Sequence, residues 1–161
     1  MEVLVSYGYR EDEMRALLDV EKLARFVAER EGQPESCEVS ISFVTNEEIH
    51  ELNREWRGVD RPTDVLSFEC DGEGEGMPFA EGEPFELGDI VVAPDVAEAQ
   101  APQYELSYAD EMSLLITHGM LHLCGYDHGE DDEARVMEAR ERELLSEFWG
   151  REFKRSGADA L

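Results

Sequence analysis

His118-Gly119-Met120-Leu121-His122-Leu123-Cys124-Gly125-Tyr126-Asp127-His128 contains three of the four histidines in the chain. Upstream, Met112, Leu115 and Ile116 have helical apolar spacing, and Ser107 followed three positions later by Asp110 makes a capping-box-like start. If the helix runs on into the quoted stretch, His118 and His122 lie one above the other on a single face. Gly125 suits the left-handed residue that closes a helix, and the turn it makes brings His128 beside the first two imidazoles. Three neutral imidazoles around one divalent ion, with one coordination position open, form the donor set of a catalytic zinc site. A lone histidine is ordinarily a satisfied core or surface residue. Three at the spacing H-x3-H-x5-H, with a glycine where the chain must turn, are poorly explained that way. Cys124 follows His122 by two residues and points away from it, so it does not close the site as a fourth ligand. The expectation is one zinc ion per chain, held by His118, His122 and His128.

The same spacing occurs in metzincin proteases, but Gly119 stands where their helix carries the glutamate that acts as general base. Peptide hydrolysis by that route lacks its proton acceptor here, and it drops to a minor alternative.

Moving outward, Glu2 to Ser6 reads as a short strand. Met14, Leu17, Leu18, Leu23, Ala24 and Val27 read as one helical stripe from Glu11 to about Arg30, ended by Gly32 and Pro34. Val39, Ile41 and Phe43 alternate as in a half-buried strand. Thr45 with Glu48 opens a helix through Ile49, Leu52 and Trp56, with Gly58 as its stop; His50 on this helix is given no role. A loop carrying Arg57 and Arg61 leads to Asp64 and a strand at Val65 to Phe68. The Gly-, Glu- and Pro-rich segment from Asp71 to Glu86 reads as a loop, followed by a strand from Leu87 to Ala93 and a short helix from Pro94 to near Pro102. A last helix from Glu130 to Phe148 buries Val136, Met137, Leu144, Leu145 and Phe148, and the tail from Arg151 to Leu161 reads as frayed.

These elements predict an α+β fold: one domain over residues 1–150, with a four-stranded mixed sheet covered by about five helices. The first two strands, joined by a helix, should be parallel. The last two, joined without one, should be antiparallel.

A chain of 161 residues with 42% hydrophobic composition is long enough for one real core. No apolar run reaches the length of a membrane span, and the N-terminus lacks the regions of a signal peptide. Cys37, Cys70 and Cys124 are widely separated, which suits reduced thiols and a cytoplasmic location. The net charge of −26 comes from 40 acidic residues against 14 basic ones. Most of these carboxylates read as a solvated surface, best tolerated where salt shortens the reach of like-charge repulsion. The same excess disfavours nucleic acid unless basic residues gather at the site.

His118-Gly-x-Leu-His122-Leu-x-Gly125-Tyr126-Asp127-His128 followed by Asp131-Asp132 resembles the signature of YbeY-type endoribonucleases of ribosomal RNA maturation. Trp56-Arg57-Gly58-x-Asp60-x-Pro62-Thr63-Asp64-Val65-Leu66-Ser67-Phe68 resembles that family's second signature, and Leu87-Gly88-Asp89-Ile90 its third. The likeness runs from about Val39 to Met137. It implies a zinc-dependent endoribonuclease specific for single strands, acting in 3′-end maturation of small-subunit ribosomal RNA and in ribosome quality control. Its implied ligands are His118, His122 and His128, and its implied functional arginine is Arg57. The implied partners are ribosomal RNA and the small ribosomal subunit, with no membrane; the chain is expected to be a monomer. Lysine commonly follows the family's Arg-Gly pair, whereas Val59, Asp60 and Arg61 follow it here.

A metal held by neutral imidazoles keeps its full positive charge, and Arg57, always protonated, suits the extra negative charge of phosphodiester cleavage. Arg61 is expected to contact a neighbouring phosphate, against the alternative of a surface ion pair. Asp127 is expected to orient an imidazole from behind, and Asp64 to do the same, to act as base or to cap a turn. Whether water or a ribose 2′-OH attacks is left open by the residues. The rival readings are a metal-dependent hydrolase of another substrate and a non-enzymatic zinc-containing protein of the ribosome.

Overall fold

The computed structural model describes residues 1–70 and 85–155. Among these residues four strands, β1 (Glu2–Tyr7), β2 (Cys37–Phe43), β3 (Val65–Glu69) and β4 (Phe85–Val92), form one sheet in the order β1-β2-β4-β3. β1 with β2 and β2 with β4 are parallel, and β3 with β4 is antiparallel. The mixed α+β sheet expected from the connections is therefore present. Most of the segment expected to be a loop, residues 71–84, lies outside the described residues; Phe85 and Glu86 already belong to β4.

Among the described residues six helices surround the sheet: α1 (Glu11–Leu17), α2 (Val20–Arg30), α3 (Asn46–Arg57), α4 (Pro94–Gln100), α5 (Tyr108–Leu123) and α6 (Asp131–Trp149). A single 3₁₀ turn, Ala101–Tyr104, follows α4. The one helix expected from Glu11 to Arg30 is in fact two. Leu18 is extended between them, and the Asp19 carboxylate accepts the Lys22 N–H at 3.1 Å, capping a fresh N-terminus. The Thr45–Glu48 capping box and the left-handed Gly58 bound α3 as the sequence predicts.

The strands place alternate residues on two faces. Val39, Ile41, Phe43, Ile90 and Val92 face the main core, packed with α2, α5 and α6. On the other face, Ile49 of α3 packs with Leu66, Val91 and Ala93. Val136, expected to be buried, is exposed, and so is Trp56. Val136 is 61% exposed because Met137 takes the inward position on α6; Trp56 is 65% exposed, with its ring edge toward Phe68 at 6.1 Å. None of the described helices is long and apolar enough to cross a membrane.

The tail is not frayed as far as it is described. Phe153 is 3% exposed, its N–H donates to Ser146 Oγ at 2.9 Å, and Arg151 pairs with Asp110 at 2.6 Å. One apolar anchor, which short sequence windows do not reveal, folds residues 151–155 back over α5 and α6; residues 156–161 lie outside the described residues.

Candidate metal centre and its cleft

α5 passes through the middle of the molecule. It packs on β3 and β4 on one side and on α2, α4 and α6 on the others. Ser107 caps it by accepting the Asp110 N–H at 3.1 Å. From Glu111 to Leu123 every residue is buried except His118 and His122, which are half-buried. The helix thus shows the outside two imidazoles and little else. Its end is a Schellman motif: the Gly125 N–H donates to the His122 carbonyl at 3.1 Å and the Tyr126 N–H to the Leu121 carbonyl at 3.0 Å. Gly125 sits at φ 105°, a conformation glycine adopts without a side-chain penalty.

The turn returns His128 toward the helix as predicted. Ring centroids lie 5.1 Å apart for His118 and His128 and 6.5 Å apart for His122 and His128. A nitrogen about 2.0–2.1 Å from a zinc ion puts its ring centroid about 3.2 Å away, so two tetrahedral ligands have centroids about 5.2 Å apart. The first pair matches that separation and the second is wider by more than an ångström. Among the described residues, accordingly, no three His, Cys, Asp or Glu side chains already stand at ligand geometry. The donor chemistry fits. His122 Nδ1 is buried without a hydrogen-bond partner, a state that a cation would relieve. His128 lies on an exposed loop, where a small shift meets little resistance.

Glu141 is the residue that sequence reasoning missed. It is 6% exposed on α6, and its Oε2 accepts from His118 Nδ1 at 2.7 Å. An ionised carboxylate only accepts, so the proton sits on Nδ1 and the Nε2 lone pair is free for a ligand. Burial lowers the pKa of His118, but the Glu141 hydrogen bond and charge, with Asp64 adding, outweigh it and leave the ring more basic than usual. The signal lay in α6 itself, where one glutamate shares the helix face of Met137 and Leu144. With removal of the orienting carboxylate, Glu141→Gln is expected to weaken zinc binding about 10–100-fold. Competition against a chromophoric chelator measures this, and unchanged affinity would remove Glu141 from the site.

Among the described residues Asp127 bonds to backbone and not to an imidazole. Its Oδ1 accepts the backbone N–H groups of His128 at 2.7 Å and Gly129 at 3.3 Å, so it shapes the loop that carries His128. Asp64 accepts from the Val65 N–H at 2.8 Å and from Gln100 Nε2 at 2.8 Å; it lines a cleft of about 270 Å³ with His118, His128, Met137, Glu138, Glu141 and Arg155. Arg57 is exposed at the end of α3, and Arg61 is exposed in the following loop with its carbonyl accepting from Asn53 Nδ2 at 2.8 Å. Neither arginine lines the cleft; residues 58–64 connect them to its wall at Asp64. His50 contacts Asp60 at 2.7 Å. Burial pushes the Cys124 thiol up to about 12, with the charge of Glu31 adding, so it stays protonated near neutral pH.

Glu111, seven residues before His118, is fully buried and neither carboxylate oxygen has a hydrogen-bond partner. Burial raises the Glu111 pKa, outweighing the opposing charge of Arg155 and the nearby Gln100, whose Nε2 donates to Asp64. A carboxyl raised on folding adds stability below its unfolded pKa, and this is lost as pH rises through the folded value. Glu111→Gln is therefore expected to stabilise the fold by about 1 kcal/mol at pH 8. The difference should vanish below about pH 4, near the unfolded value of a glutamate. Urea unfolding at both pH values checks the sign.

Sheet, buried helix and histidine turn together define an α+β protein that presents His118 of one helix and His128 of its closing loop to a cleft, with His122 half-buried one helical turn beyond His118. The Endoribonuclease YbeY family profile matches residues 8–149. The chain belongs to that family. It is 46% identical over 135 residues to Endoribonuclease YbeY of Bacillus velezensis, covering 83% of this chain and 86% of the relative. It is 44% identical over 135 residues to Endoribonuclease YbeY of Bacillus subtilis, covering 82% and 85%. The solution structure of TM1509 from Thermotoga maritima superposes with a TM-score of 0.61 at 32% identity, covering 93% of this chain and 90% of that one.

Proposed function

We propose that this chain is a metal-dependent endoribonuclease that cuts single-stranded RNA, acting in the cytoplasm as a monomer on the 3′ end of small-subunit ribosomal RNA and in ribosome quality control. The observation that carries the reading is His118, its Nδ1 hydrogen held by Glu141 at 2.7 Å and its other nitrogen left for the cleft it shares with His128. His118, His122 and His128 would hold the ion, taken as zinc from the nitrogen donor set. Such an ion supplies positive charge that polarises a phosphoryl oxygen and makes water more acidic.

The remaining steps belong to the chain's own side chains. Glu141 fixes the ring of His118, and Asp127 fixes the loop of His128. Arg57 binds the scissile phosphate through paired N–H groups and meets the charge that grows in the pentacoordinate state. Arg61 contacts a neighbouring phosphate. Asp64, with Val65 and Gln100 on its oxygens, anchors the cleft wall.

Elemental analysis paired with cleavage of a labelled single-stranded RNA tests the reading. One zinc per chain, cleavage lost on chelation and an intact duplex control are expected. Arg57→Ala should keep its metal and cut about 10²-fold more slowly, the usual effect of removing one charge-stabilising donor. Metal-loaded wild type that never cuts RNA would refute the function; full activity in Arg57→Ala would refute the role of Arg57. A 2′,3′-cyclic phosphate product identifies the ribose 2′-OH as nucleophile.

A further inference from the structure

The cleft beside His118 is walled by carboxylates, with Asp64, Glu138 and Glu141 among its lining residues. Its lining holds one permanent cation, Arg155, from the segment after α6. Phe153, buried two residues earlier, anchors that segment. The Arg155 guanidinium carbon stands 3.6 Å from the centroid of the Tyr104 ring. Such stacking holds a guanidinium in place and leaves its in-plane N–H groups to meet a partner. One of them, Nε, is buried and has no hydrogen-bond partner. The carboxylate of Glu111, equally unpartnered, lies close enough for the charge of Arg155 to act on it.

We infer that Arg155 binds a backbone phosphate of the RNA next to the one cut at His118, held in place by the Tyr104 stack and the Phe153 anchor. The inference rests on the endoribonuclease reading above. Its physical ground is the placement of the guanidinium: Arg155 lines the cleft, and with Nε buried it is the terminal Nη groups that meet whatever enters. A phosphodiester oxygen is the acceptor that suits a stacked, permanently charged guanidinium. In a chain of net charge −26, a cation inside the cleft also offsets local repulsion where the strand must enter.

Arg155→Gln, Arg155→Lys and Tyr104→Leu test this in the full chain. Binding of a fluorescein-labelled oligouridylate to chelator-treated protein is followed by anisotropy across a salt series, and cleavage by zinc-loaded protein gives kcat and KM. For Arg155→Gln we expect affinity to fall about 5–10-fold, the salt slope to shrink by about 0.7, one single-strand phosphate contact, and the cleavage defect to fall on KM. Arg155→Lys should recover part of the affinity and all of the slope, and Tyr104→Leu should weaken binding less than Arg155→Gln does. Wild-type affinity and slope in Arg155→Gln, or tighter binding, would overturn the assignment of Arg155 alone. Wild-type protein that neither binds nor cuts RNA would overturn the endoribonuclease reading, and with it this one.

Discussion

His118→Ala is expected to abolish tight zinc binding and to lower cleavage of single-stranded RNA by at least about 10³-fold, since charge stabilisation by a metal contributes several kcal/mol to a phosphoryl-transfer barrier. The size of the effect follows from the position of the ring. His118 sits on the most buried helix of the molecule, and its Nδ1 hydrogen is already committed to Glu141. It is therefore the best-oriented of the three donors, whereas His128 rides on an exposed loop. Removing it also strands Glu141, a buried carboxylate whose hydrogen-bond partner among the described residues is this imidazole. The variant should thus lose both metal and thermal stability. Elemental analysis, a cleavage time course and a melting curve check the three consequences together; a variant that retains stoichiometric zinc and cuts RNA normally would show that the triad is not the active centre.

Gly119→Glu is expected to destabilise the fold by about 4 kcal/mol and lower Tm by roughly 10 °C. A side chain built at Gly119 would place its Cβ 3.0–3.2 Å from three side-chain carbons of Ile90. Ile90 is fully buried at the centre of β4 and β-branched, so it has little freedom to retreat. Gly119→Ala separates the terms: its gain in helix propensity of about 1 kcal/mol opposes overpacking of about 1–3 kcal/mol, leaving it neutral to mildly destabilised. The larger variant adds a carboxylate driven into an apolar sheet face. A normal melting temperature for Gly119→Glu would sink this account of the glycine. The contact also explains the departure from the metzincin pattern. In this fold the position points at the sheet, so a glutamate there could not work in the cleft.

The residues that carry a local pattern were legible without coordinates. Helical spacing and caps are interactions over three to five residues, so the Thr45–Glu48 box, the Ser107 cap and the Gly125 turn follow from neighbouring side chains, and with them the gathering of His118, His122 and His128. Connection lengths were enough for strand direction, which is why the parallel and antiparallel pairs came out as expected. What the tertiary structure alone decided are contacts between residues far apart in sequence. Glu141 looks like one more surface charge on α6 until that helix is packed against α5, 23 residues away in the chain. Val136 and Met137 are equivalent apolar neighbours until packing turns one inward. Phe153 converts an apparent tail into a wall of the cleft, bringing Arg155 beside His118 and over Tyr104. The physical reason is common to all of them: burial and long-range ion pairing are properties of how elements meet, and a single chain read in order contains their partners but not their distances.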